Sequence, residues 1–215
     1  MKKIMFNDKY CLTQAVLDGT KTMTRRKFTL TLDKKVDGKL IRVYPSKVFF
    51  DNGKWLFEYE GKIYNLPKEN YPRYGVGEVV AIAQSYESIM DESVRNSALP
   101  CWNFDDDHCD EAGWNNKMFV RADLMKHRIR IIGVKVERLQ DISDEDCLCE
   151  GIEEHFNGIQ YVLKTNAGYC YQHPFDTPRE AFASLIDKVS GKGTWESNPW
   201  VVAYSFELVY LKRVL

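Results

Sequence analysis

The sequence predicts a mixed α+β domain built around a small closed or nearly closed sheet. Three observations carry this. First, Trp200, Val202, Tyr204, Phe206 and Leu208 alternate with Ser205 and Glu207, as a half-buried strand does. Second, apolar runs flank Asp51-Asn52-Gly53-Lys54, and Asn-Gly in that setting is the strongest short hairpin signal. Third, two helices announce their own starts, with Ser143 before Asp144-Glu145-Asp146 and with Thr177-Pro178-Arg179-Glu180. Many strands with three short helices between them fit α+β packing.

The elements follow in order. Residues 7–19 read as a short helix that Asn7 or Asp8 can cap, with Cys11, Leu12, Ala15 and Val16 on one face. Gly19 suits the left-handed position at its end. Residues 21–32 are Thr-rich and extended. Residues 40–66 read as a β-meander over 40–44, 48–50, 55–59 and 63–66, with a second turn at Glu60-Gly61-Lys62. Residues 67–77 are loop-like, and 78–83 form a buried strand. Residues 88–116 read as an irregular, acidic surface insertion that includes Asp105 to Glu111. Residues 128–139 form a strand carrying Ile129, Ile131, Val134, Val136 and Leu139, and the change of parity near Gly133 predicts a bulge. The helix begun at Ser143 ends at Gly151, directly after Glu150. The helix begun at Thr177 carries Phe182, Leu185, Ile186 and Val189 at helical spacing and ends at Gly191.

Composition bounds the function. The chain has 215 residues, 30 Lys plus Arg, 31 Asp plus Glu and a formal net charge of -1, with 44% hydrophobic and 28% charged residues. These values match an average globular protein and exclude disordered, collagen-like and disulfide-framework chains. A chain of this size buries about 70% of its unfolded surface, enough for a substantial core. The length fits one enlarged domain over residues 1–215. The near-zero net charge excludes a histone-like basic coat while allowing a local basic patch. Positive charge gathers at 21–27 and 117–130, and negative charge at 105–111 and 144–154. No apolar run reaches the roughly 7–15 residues of a secretory signal or the roughly 18 of a membrane span. Cys11, Cys101, Cys109, Cys147, Cys149 and Cys170 are therefore expected to be reduced thiols in a cytoplasmic protein without a membrane partner.

The densest chemical signal is Gly19-Thr20-Lys21-Thr22-Met23-Thr24-Arg25-Arg26-Lys27, four cations and several hydroxyls just past a helix end. Arg offers forked donors, Lys a point charge and Thr a short donor or acceptor, which suits an anion or a polar planar ligand. The same composition also fits a solvated basic strand.

The order Gly-x-Lys-x-x-Thr-Arg-Arg after an N-terminal helix resembles the start of the ASCH domain family, whose fold is similar to the PUA domain of RNA-modifying proteins. Three further segments resemble the variant found in phage and prophage genomes. They are Gly77-Glu78-Val79-Val80, the run from Val136 through Ser143 to Glu150-Gly151-Ile152, and Phe182 to Phe206 with Trp195 and Asn198-Pro199-Trp200. The resemblance spans the chain, with insertions expected near 43–73, 88–115 and 153–176. It implies a PUA-like β-pseudobarrel of mixed strands with short flanking helices, framing a cleft for RNA or nucleotide-like ligands. Some small ASCH proteins are amidohydrolases that remove the acetyl group from the exocyclic amine of acetylated cytidine. Their Lys-x-x-Thr-x-Arg pattern and middle-helix Glu correspond here to Lys21, Thr24, Arg26 and Glu150. Two segments depart from the phage-type pattern: an Arg-Glu pair is replaced by Ala83-Gln84, and a Met-Pro-Arg-Trp segment by Met118 to Asp123.

The implied chemistry is coherent. Amide hydrolysis needs a nucleophile, a proton acceptor and oxyanion stabilisation. Burial and the adjacent Arg25 and Arg26 lower the pKa of Lys21, so that its amine can activate water or attack directly, while Glu150 exchanges protons with the leaving amine. Thr24 and Arg26 hold the carbonyl or the base. On a regular strand Lys21 points away from Thr24 and Arg26, so this arrangement requires Lys21 in the turn before the strand. Ligand contacts are assigned to Arg25, Lys27, Gln84, Tyr86, Arg121 and Arg128.

Other signals are weaker. Cys101, His108 and Cys109 lack paired Cys-x(2–4)-Cys spacing, so no metal and no cofactor is expected. Cys147 and Cys149 fall on different helix faces, against a redox pair, and a Cys paired with His127, His155 or His173 has no local signature. Arg121, Lys126, His127, Arg128 and Arg130, near Trp114 and Phe119, fit either single-stranded nucleic acid or a strand edge guarded by charge. Trp195 and Trp200 read as core residues. The leading reading is an ASCH-type domain binding RNA or a modified nucleoside. The alternatives are an amidohydrolase deacetylating 4-N-acetylcytidine or a related base, and a phage-derived protein-interaction module without catalysis.

Overall fold

The computed structural model describes residues 1–36, 39–95, 112–169 and 174–209. The readings placed on Cys101, Asp105 to Glu111, His108, Cys109, Cys170 and His173 lie outside the described residues.

In chain order the elements are β1 (Lys3–Ile4), α1 (Leu12–Leu17), β2 (Met23–Lys27), β3 (Leu32–Val36), β4 (Lys39–Val43), β5 (Lys47–Asp51), β6 (Lys54–Tyr59), β7 (Lys62–Asn65), β8 (Val79–Ile82), α2 (Tyr86–Arg95), β9 (Arg128–Arg138) and α3 (Asp144–Cys149). Then follow β10 (Glu153–Glu154), β11 (Tyr161–Val162), β12 (Lys164–Thr165), β13 (Gly168–Tyr169), α4 (Pro178–Ser190), α5 (Thr194–Ser197) and β14 (Trp200–Val209). The architecture is α+β. A mixed five-stranded sheet runs β1-β8-β9-β14-β2, with β1 and β8 parallel and the other pairs antiparallel. Among the described residues its backbone pairing does not close. The two edges nevertheless meet through a side chain, since Arg26 Nη2 on β2 donates to the carbonyl of Met5 just past β1.

The long pair β9 and β14 forms the spine of the sheet. Its register slips between Ser205, opposite Gly133, and Phe206, opposite Ile131, so Ile132 is the extra residue of the expected bulge. The alternation along β14 does not produce one wet face. Val201, Val202, Ala203 and Tyr204 are all buried, because β14 is central and both of its faces are covered. Ile4, Val16, Val80, Ile82, Ile129, Ile131, Leu139, Phe182 and Tyr204 belong to the main core.

Several expected elements differ. Residues 7–19 are two pieces: a 3-10 turn over Asp8–Tyr10 capped by Asn7, then α1, with Cys11 left-handed (φ 51°) between them. The Asn7 side chain draws its bond from the Lys9 N–H, which closes a tight turn before α1 can start. The meander loses its first strand, because β4 pairs with β3, while β5-β6-β7 stand as a separate three-stranded sheet. Within it Asn52 and Gly53 are both left-handed, as the hairpin signal requires. Residues expected to be irregular from 88 onward include α2, whose start bears Ser85 Oγ accepting from the Ser88 N–H. The apolar residues Tyr86, Ile89, Met90 and Val94 of that helix do recur at helical spacing.

No helix among the described residues is long and apolar enough to cross a membrane.

Candidate functional site

The site forms where the edge strand β2 meets the C-terminal end of α3. Three backbone bonds set the approach. The Lys21 N–H donates to Ala15 O at the end of α1, the Thr22 N–H to Cys149 O at the end of α3, and the Phe206 N–H to Thr22 O. Lys21 therefore sits in the turn before β2, as the chemistry required. Ser143 Oγ caps α3 through the Asp146 N–H, and Gly151 ends it at φ +95°. A Cβ on Gly151 would lie 3.4 Å from Leu12 and 3.6 Å from Lys21, ordinary contact distances, so glycine serves here for the left-handed turn rather than for space.

Lys21 is 2% exposed, and Glu150 is 4% exposed. Lys21 Nζ donates to Glu150 Oε2 at 2.6 Å and to the Glu150 carbonyl at 2.7 Å. The second bond places a cation on the negative end of α3 and satisfies a carbonyl that the helix leaves unpaired. Arg25 Nε donates to Glu137 Oε1 at 2.9 Å, Nη1 to Glu150 Oε1 at 3.2 Å and Nη2 to Asp146 Oδ2 at 2.6 Å. Glu137 comes from β9 and faces Val201 in β14, while Arg25 faces Ala203. The small Ala203 side chain lets Arg25 cross β14 diagonally. Lys135 Nζ completes the network 2.5 Å from Glu137 Oε2.

Electrostatics differ among the three cations. Burial pushes the Lys21 pKa below its usual value, Glu150 opposes that shift, and the Arg26 and Arg25 charges add to it. For Arg25, burial is outweighed by Glu150, Glu137 and its hydrogen bonds, so its proton is held more firmly than usual. Arg26 is shifted down by burial. It stacks 5.5 Å from the Phe6 ring, and its Nε is buried without an acceptor among the described residues.

These groups border a cleft of about 270 Å³. Lys21, Thr24, Arg25, Arg26, Lys27 and Glu150 line it together, so the proposed catalytic set converges. Because β2 is an edge strand, the cleft wraps around it and takes residues from both of its faces. The opposite wall is α4, with Phe182, Leu185, Ile186 and Val189. This wall escaped the sequence reading, although Ile186 and Val189 extend the apolar stripe of α4 past its buried portion. Glu137 and Asp146 also escaped it. The only signal was a carboxylate set among Val134, Val136 and Leu139.

Four assigned ligand contacts do not join this cleft. Gln84 lines a different groove with Cys11 and His127, and its Oε1 accepts from the Lys126 N–H at 3.0 Å. Tyr86 packs on the small cluster of Ala81, Ala83, Val120 and Met125. Arg121 pairs on the surface with Asp123 at 2.6 Å. Arg128 begins β9, with its Nε buried and without an acceptor among the described residues. The first helix stands between the two spaces: Thr13, Gln14 and Leu17 line the groove of Gln84, while Leu12 lines the cleft of Lys21. Trp195 and Trp200 pack on the core, as expected, under Arg179 and Arg138. Cys147 is fully buried, and burial pushes its thiol up to about 12, leaving it unreactive. No group of three or more metal-ligating side chains occurs among the described residues.

Comparison of the chain with protein-family models, curated proteins and solved structures gives no match in any of the three.

Proposed function

We propose that the protein is an ASCH-type domain with a PUA-like pseudobarrel that binds a modified nucleoside in the Lys21–Glu150 cleft and hydrolyses the acyl amide on its exocyclic amine. The observation that carries this reading is the pair itself. A lysine with a lowered pKa shares a 2.6 Å hydrogen bond with a carboxylate at the floor of an open cleft, beside Thr24 and Arg26. Such a pair can hold and return a proton within one site, as amide hydrolysis demands. The cleft, at about 270 Å³, lies just below the range of about 300 to 1,000 Å³ usual for ligand pockets, and so favours a single nucleoside over a buried strand. The approach of β1 and β2 through Arg26 and Met5 supports the pseudobarrel.

In this mechanism the amine form of Lys21 takes a proton from water as the oxygen attacks the acyl carbon. Thr24 and Arg26 stabilise the resulting oxyanion, and the buried Arg26 Nε supplies a donor that has no acceptor of its own. The proton passes through Lys21 and Glu150 to the departing amine as the C–N bond breaks, leaving the free amine and the carboxylic acid. Arg25 does not touch the ligand in this scheme. It holds the Glu150 carboxylate in place from behind.

A second reading, nucleoside or RNA binding without turnover, draws on the fact that Glu150 already satisfies Lys21 twice. Incubation with 4-N-acetylcytidine, followed by chromatography for cytidine and acetate, separates the two. Hydrolysis is expected from the wild type and not from Lys21→Ala or Glu150→Gln. Binding of acetylcytidine without release of acetate selects the second reading, and the absence of both overturns the nucleoside site.

A further inference from the structure

The cleft has a neighbour. A second cavity of about 600 Å³ lies on the other side of Met5 and Arg26. Met5, Arg26 and Lys27 line both spaces, and the Arg26-to-Met5 hydrogen bond forms part of the partition. The floor is Val202 and Tyr204 of β14. The outer wall is the loop after β7, which contributes Glu69, Tyr71, Arg73 and Tyr74.

The charge of this second cavity is one-sided. Arg26, Lys27 and Arg73 face a single carboxylate, Glu69. Lys3 also lines it, but its ammonium is committed to the carbonyls of Lys117, Met118 and Val120 at 3.1, 2.5 and 2.7 Å, so it braces the wall. Arg73 differs. Its side chain is exposed and lies 5.5 Å from the Tyr74 ring, while Lys2 anchors its backbone carbonyl at 2.6 Å. The Tyr74 hydroxyl donates to Lys3 O at 2.8 Å, which fixes the ring beneath Arg73. Lys27 is exposed, and among the described residues its ammonium donates to the Ser190 carbonyl. The Arg73 guanidinium, placed over the Tyr74 ring, and the Lys27 ammonium together offer a forked and a point donor to one anion, the combination that suits a phosphate.

We infer that this second cavity is a phosphate subsite, so that the preferred ligand is a phosphorylated nucleoside rather than the free nucleoside. The inference rests on the reading of the first cleft as a nucleoside site, and it deepens that reading. A phosphate ester on the sugar of a nucleoside held at Lys21 and Glu150 would pass over the Arg26–Lys27 partition toward Arg73. Either a terminal phosphomonoester or an internal phosphodiester presents this chemistry. In the diester case Tyr71, exposed at the rim, offers a ring to the next base.

The test is equilibrium binding by calorimetry, which is independent of turnover. The probes are cytidine, cytidine 5′-monophosphate, cytidine 3′-monophosphate and a cytidine dinucleotide, each titrated into wild type and Arg73→Ala. At least one phosphorylated probe is expected to bind about tenfold or more tightly than cytidine, the effect of one charge-assisted hydrogen bond. That gain should weaken as salt rises and shrink several-fold in Arg73→Ala and further in Arg73→Glu. Preference for a monophosphate identifies a terminal phosphate, and preference for the dinucleotide identifies a backbone phosphate. Equal affinity for cytidine and every phosphorylated probe, a gain unmoved in both Arg73 variants, or no measurable binding of any phosphorylated probe overturns the inference. Turnover of acetylcytidine without a phosphate gain would remove this subsite and leave the hydrolase standing. A phosphate gain without turnover would do the reverse.

Discussion

Two arginines from the basic stretches 21–27 and 117–130, Arg25 and Arg121, look alike in sequence and behave as opposites in the fold. In the first, Arg25 is sealed from solvent and divides its guanidinium among Glu137, Asp146 and Glu150. In the second, Arg121 stands in water beside Asp123, with side-chain exposures of 75% and 57%. The difference teaches that a run of cations has no chemistry until the fold supplies carboxylates and removes water. Exposed pairs are screened and entropically loose, whereas buried ones are coupled strongly and fail badly when one partner is lost.

The largest break in this comparison is Arg25→Met. It leaves Glu137 and Glu150 buried without their shared cation, and it should cost about 3–5 kcal/mol of stability, read as a fall in the urea midpoint with an unchanged slope. A cost near zero would mean that the carboxylates turn to solvent and that Arg25 does not organise the site.

Lys21→Met should cost less, because Arg25 still pairs with Glu150, but it should change the pH dependence. The folded pKa of Lys21 lies below 10.5, so between the folded value and 10.5 the unfolded chain binds more protons. The stability contributed by this residue therefore rises with pH across that window and is flat below it. Wild type should gain on Lys21→Met as pH climbs from neutrality toward 10.5. If it loses ground instead, the Glu150 interaction dominates burial.

Gly151→Ala sharpens the comparison from the backbone side. At φ +95° an alanine is strained whatever the space around it, and the substitution should cost about 1–2 kcal/mol in the turn that follows Glu150. Acetylcytidine binding should weaken along with the thermal midpoint, and an unaltered affinity would separate the turn from the site. The smallest effect is expected at Arg121→Ala, which should leave the urea midpoint within error of wild type. A clear loss there would erase the contrast between the two arginines.

Much of the secondary structure was legible because its signals are local. Ser143 and Thr177 accept from the N–H three residues on, as their sequence context indicates. Asn52 and Gly53 adopt the positive φ values of a tight hairpin. The 86–95 helix carries Tyr86, Ile89, Met90 and Val94 at helical spacing, yet the reading passed over it because the residues that follow are irregular and acidic in sequence. The site was half legible. Lys21, Thr24, Arg26 and Glu150 came together on paper through a family resemblance, and they line one cleft in space. Gln84, Tyr86, Arg121 and Arg128 are also polar or cationic, but the fold places them on other surfaces.

The sequence by itself determined where chain direction changes, which residues cap helices and where positive charge accumulates, because each depends on neighbours a few positions away. Only the tertiary structure decided which charges meet. Lys21 and Glu150 are 129 positions apart, and Arg25 and Glu137 are 112 apart. No local rule spans such distances. Their contact depends on β2 taking the edge beside β14, on Ala203 being small enough for Arg25 to cross, and on α3 ending over Lys21. Burial in that one place then weakens the lysine's hold on its proton and strengthens the arginine's, a distinction that two cations four residues apart do not carry in their sequence.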